Sequence, residues 1–149
     1  MLKRGALAFI AVALIAAGCS SGNKGQQASA TRSFKADLTA AQEVPPTDSG
    51  GTGVALVPLD PNGMLRWNVS YQALTGPAMA AHFHGPAGPG ANAGVTVNIG
   101  DQGLPSPMQG STQLNATQVA DLVGGRWYIN IHTARYPNGE IRGQVVPAP

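Results

Sequence analysis

Gly53-Val-Ala-Leu-Val-Pro-Leu59 and Met64-Leu-Arg-Trp-Asn-Val-Ser-Tyr71 flank the four residues Asp60-Pro61-Asn62-Gly63. In the second run Leu65, Trp67, Val69 and Tyr71 alternate with Arg66, Asn68 and Ser70, the period of a half-buried strand. Asn-Gly between two such runs is the chemistry of a tight β-hairpin turn. The stretch therefore predicts two antiparallel strands, and with them an all-β fold.

Alternation extends outward in both directions. Ser33 to Leu38 reads as a strand, with Phe34, Ala36 and Leu38 on one face. After Gln42-Glu43-Val44, Pro45-Pro46 must leave the ladder. Further strands are predicted at Ala78–His84, Gly94–Ile99, Ser111–Leu114, Arg126–Thr133 and Gly139–Val146. The one helix candidate spans 115–123, with Asn115 able to cap it and Gly124-Gly125 to end it. No element suits a βαβ unit. Seven to eight short strands and one short helix make a Greek-key β-sandwich or barrel.

Composition agrees. The 149 residues include 20 Gly and 12 Pro, and only 11% are charged, which suits short strands joined by tight turns. Lys3 and Arg4 account for two of nine Lys and Arg; the other seven balance seven Asp and Glu. There is no basic run, so nucleic-acid binding has no electrostatic footprint.

The N-terminal stretch has the form of a secretory signal peptide over 1–18: Lys3 and Arg4, then an apolar run from Ala6 to Ala17. Ala16-Ala17-Gly18-Cys19 resembles the bacterial lipobox, with Ala16 where that pattern prefers Leu. The resemblance implies that Cys19, the only cysteine, carries lipid and that the partner of this end is a membrane. Ser20, rather than Asp, implies a cell-envelope protein, on the outer membrane facing the periplasm if the cell is Gram-negative. Residues 19–32 are Gly-, Ser- and Gln-rich and read as a flexible tether. One domain remains, 33–149.

All three histidines lie in two of the predicted strands, as Ala81-His82-Phe83-His84-Gly85 and Ile129-Asn130-Ile131-His132-Thr133. Residues i and i+2 of a strand share a face, so His82 and His84 point together, opposite Ala81 and Phe83. His132 shares its face with Tyr128 and Asn130, opposite Trp127, Ile129 and Ile131. Three imidazoles converging would suit copper or zinc, whereas histidines on polar strand faces are commonly just hydrogen-bonded. No Gly-x-Ser-x-Gly elbow and no paired carboxylates point to a catalytic residue. Glu140 and Arg142, two apart, are expected to form a structural ion pair.

Four motifs carry a family resemblance: Leu38-Thr-Ala-Ala-Gln-Glu-Val-Pro-Pro46, Ala80-Ala-His-Phe-His-Gly-Pro-Ala87, Tyr128-Ile-Asn-Ile-His-Thr-Ala134 and Pro137-Asn-Gly-Glu-Ile-Arg-Gly-Gln144. They resemble the CHRD domain from about Phe34 to Val146, which speaks to fold rather than activity. A more distant resemblance is to copper-zinc superoxide dismutases, which also carry His-x-His ending one strand and a copper-binding histidine on a late strand. It implies a superoxide-dismutase-like barrel and a copper, or zinc, site at His82, His84 and His132. The dismutase zinc loop, disulfide cysteines and long electrostatic loop have no counterpart. The leading expectation is metal binding without catalysis. The rivals are a non-metal envelope interaction module, using loops such as Pro45-Pro46-Thr47 and Gly85 to Gly90, and a dismutase-like enzyme.

Overall fold

The computed structural model describes residues 30–100 and 104–149. The stretch read as a signal peptide, Cys19 and most of the tether lie outside the described residues. Among the described residues nine strands form one antiparallel sheet that curls into a nearly closed barrel. They are β1 Arg32–Thr39, β2 Thr52–Leu59, β3 Met64–Gln72, β4 Ala78–His84, β5 Val95–Asn98, β6 Met108–Gln113, β7 Tyr128–Thr133, β8 Ile141–Gln144 and β9 Val146–Pro147. The strand order is β5-β4-β7-β8-β1-β2-β3-β6, with β9 paired to β1. The connections from β3 to β4 and from β6 to β7 cross the sheet, as a Greek key requires. β5 and β6 stay apart, with a cleft of about 310 Å³ between them lined by Trp67, Thr96 and Ser111.

The hairpin forms as its residues predict. β2 and β3 pair from Thr52↔Gln72 to Leu59↔Leu65, and Gly63 N–H closes the turn on Asp60 O at 2.9 Å. Inward positions hold the core: Phe34, Ala36 and Leu38 on β1, Val57 and Leu59 on β2, Leu65, Trp67 and Val69 on β3. Ala81 and Phe83 of β4 and Ile129 and Ile131 of β7 complete it from the other side, with Trp127 just before β7. The helix α1, Ala116–Val123, is closed by a reciprocal capping box: Gln118 N–H donates to Asn115 Oδ1 and Asn115 N–H to Gln118 Oε1.

Two elements differ from the sequence reading. The last predicted strand is two: Val145 turns inward, its N–H bonded to Trp127 O, and the chain moves from β7 to β1 as partner. β6 begins at Met108, earlier than Ser111, and pairs with β3 along its whole length. Its pattern hid this because Gly110 stands where a side chain would face inward. A Cβ there would lie 2.4 Å from the Trp67 ring, so the indole occupies the room that glycine leaves.

Gly110→Ala therefore forces Trp67 out of place. The expected loss is about 1–3 kcal/mol of stability, measured as a lower midpoint in denaturant unfolding.

Candidate metal centre

The face of β4 opposite Phe83 carries His82 and His84; the face of β7 opposite Ile131 carries His132. The β4–β7 register sets Asn130 against His82, Tyr128 against His84 and His132 against Ala80. His82 and His132 are thus diagonal neighbours, within reach of long side chains, and the small Ala80 leaves room between them. One ring nitrogen from each histidine lies within 4.8 Å of the others. His82 Nδ1 and His132 Nε2 are 3.1 Å apart.

The other ring atoms decide which nitrogens are free. His84 Nδ1 lies 2.9 Å from Ala93 O and His132 Nδ1 lies 3.1 Å from Pro137 O. A carbonyl oxygen only accepts, so both Nδ1 atoms carry the proton and both Nε2 atoms keep their lone pairs. His84 is 8% exposed and its Nε2 is buried without a hydrogen-bond partner. Neutral His132 accepts at Nε2, so His82 donates from Nδ1; binding an ion there requires that His82 carry its proton on Nε2 instead. Burial, then the neighbouring His132 and His84, holds the His82 pKa below its ordinary value. Burial likewise lowers that of His132, against the raising effect of its Pro137 bond. Both effects favour neutral rings, the form that ligates.

The histidine face is not open. The loop 85–94 folds over it, and Tyr128 and Asn130 are buried beneath. The Tyr128 ring stacks on His84 with centroids 4.9 Å apart and planes within 4°, and Arg142 Cζ lies 3.5 Å over its other face. His82 and His132 remain half-buried, so the centre is reached from their side.

A family model, the CHRD domain, matches residues 34–145. The chain belongs to the CHRD domain family. The match takes in all three histidines, Tyr128 and Arg142. Among curated proteins and solved structures nothing matches.

Two carboxyls of this CHRD domain were not legible as neighbours of the face. The expected Glu140–Arg142 ion pair does not form. Glu140 instead accepts from Ser49 Oγ at 2.6 Å, Thr75 N at 2.8 Å, Thr75 Oγ1 at 2.9 Å and Thr133 Oγ1 at 2.5 Å. Burial alone would raise its pKa, but these donors together outweigh burial and hold the carboxyl below its usual value. They take up its lone pairs, so it needs no cation, and they tie the loops at 49 and 75 to β7 and β8. Glu43 is the opposite case. It is 5% exposed, and its Oε1 has no partner. Burial raises its pKa from 4.5 to about 7, against Arg142, the Val44 N–H and Asn130, which lower it. It is wedged against Gly139, whose φ of +127° suits glycine and whose Cβ, if present, would sit 2.5 Å from Glu43 Oε1.

Because the folded pKa of Glu43 is raised, its contribution is present below pH 4.5 and lost as pH rises through about 7. Glu43→Gln removes that dependence. Relative to wild type it is expected to gain stability between those limits, by up to roughly 3 kcal/mol above them. Thermal melts of both proteins from pH 4 to 9 check this; parallel curves would refute it.

Proposed function

We propose that this CHRD domain binds a copper ion, with zinc as the second candidate, through His82 Nδ1, His84 Nε2 and His132 Nε2. The observation that carries the reading is the buried, unpartnered His84 Nε2. A buried polar atom without a partner carries a desolvation cost of roughly 1–3 kcal/mol. The grouping of His84 with two further imidazoles, one ring nitrogen of each within 4.8 Å of the others, supports a cation as its partner. Backbone carbonyls on the far nitrogens of His84 and His132 are the outer-shell arrangement that orients metal-bound imidazole. Three nitrogen donors suit copper and zinc, and copper(II) stands highest in the affinity series for such ligands.

The N-terminal pattern supports a lipid-anchored, extracytoplasmic setting for this centre, with Cys19 as the lipid-bearing residue. In a Gram-negative cell the outer membrane, facing the periplasm, is the site favoured by Ser20. The test is metabolic labelling with a fatty-acid analogue: the wild type should take up the label and Cys19→Ser should not, and an unlabelled wild type or equal labelling of both would exclude the anchor.

Titration of the protein with Cu(II) is expected to show one site per chain. His84→Ala and His132→Ala should each weaken it by at least tenfold, and equal binding by wild type and both variants would overturn the assignment. Protons compete for the same nitrogens. Since burial holds His82 and His132 below the ordinary imidazole range, affinity should fall as the pH drops and those rings take up protons.

A further inference from the structure

We infer that Arg142 is a positioning residue for the metal centre: by pinning the tip of the 85–94 loop it fixes the ring of His84 and leaves Nε2 as its free nitrogen. The functional consequence rests on the metal-binding reading; the positioning itself does not.

Arg142 is 2% exposed, yet it forms no ion pair with another described residue. Burying a guanidinium is costly unless its donors are used. Here they go to one stretch of backbone and its side chain. Nη1 donates to Asn92 Oδ1 at 2.9 Å, and Nη2 to Ala91 O at 2.7 Å and, at 3.5 Å, to Gly88 O. The next residue is Ala93, whose carbonyl takes the His84 Nδ1–H at 2.9 Å and the Tyr128 hydroxyl at 3.3 Å. Ala93 N–H donates back to Tyr128 Oη at 3.1 Å.

Two restraints on His84 therefore meet at Arg142. Tyr128, held between the guanidinium and the imidazole, fixes the plane of the ring. Ala93 O, held beside the residues that Arg142 binds, fixes the tautomer. The base of the loop is tied independently: Gln144 Nε2 donates to Ala87 O at 2.9 Å, Ala87 N–H to Arg126 O at 2.7 Å and Thr96 Oγ1 to Gly85 O at 3.1 Å. Loss of the Arg142 contacts thus releases the tip while the loop stays attached. Asn92 also donates to Val44 O at 2.9 Å, so an exposed residue joins the same clamp to the 43–48 segment.

The test uses the full chain, labelled with ¹⁵N, as wild type, Arg142→Lys and Asn92→Ala. Lysine keeps the charge but cannot reach several loop acceptors at once; Asn92→Ala is a surface change and covers the case in which the buried substitution fails to fold. In the metal-free wild type, long-range ¹H–¹⁵N correlation should show His84 as the Nδ1–H tautomer. Both variants should show a mixture. With Cu(II) added, the variants should bind about 10–100-fold more weakly, the range typical of outer-shell changes. Their electron paramagnetic resonance should lose one of three nitrogen couplings. A wild-type tautomer and wild-type affinity in both variants would overturn the inference. If wild type binds no copper, the metal reading falls, and the tautomer measurement alone decides the positioning role.

Discussion

The antiparallel register between β4 and β7 is the constraint on which the rest depends. It sets Ala80 against His132 and Asn130 against His82, so that two histidines meet diagonally across the pair. A slip of one residue would exchange the faces of a strand, burying His132 in the core and exposing Ile131 or Ile129. That slip is opposed by the core itself, because Ala81, Phe83, Ile129 and Ile131 are all fully buried on the other face. The apolar pattern that stabilises the barrel is thus the same pattern that assembles the three imidazoles.

A second layer changes the character of that polar face. An antiparallel sheet can leave one side to water, yet here the 85–94 loop and the 43–48 segment lie over it. Covering the face turns ordinary polar residues into buried ones: His84, Asn130, Glu43 and Arg142. The consequences differ with the partners each finds. Arg142 satisfies its donors on loop carbonyls and the Tyr128 ring, whereas Glu43 Oε1, Asn130 Oδ1 and His84 Nε2 have no partner. These under-satisfied polar atoms share one covered face, and each calls for an explanation, since such atoms are few in native structures.

Family membership and geometry contribute different things. The CHRD match covers 34–145 and agrees with the β architecture, but it assigns no chemistry. The chemistry comes from nitrogen positions: the Nδ1–H groups of His84 and His132 are committed to carbonyls, His132 Nε2 accepts from His82 Nδ1, and His84 Nε2 is buried without a partner. A family name could not have distinguished this from three solvated histidines.

The sequence by itself determined most of the strands, the hairpin at Asn62-Gly63, the Asn115 cap and the face on which each histidine stands, because period-two alternation and turn chemistry are local properties. It did not reveal β6 before Ser111, since Gly110 yields its place to Trp67 from another strand. Nor did it reveal the partners of Glu140, which come from residues 49, 75 and 133. Only the tertiary structure decided that the histidine face is covered, that His84 turns Nδ1 to Ala93, and that Glu43 Oε1 is buried without a partner beside Gly139. The physical reason is that those outcomes rest on where irregular loops cross the sheet. Side chains far apart along the chain set those paths, and no periodicity encodes them.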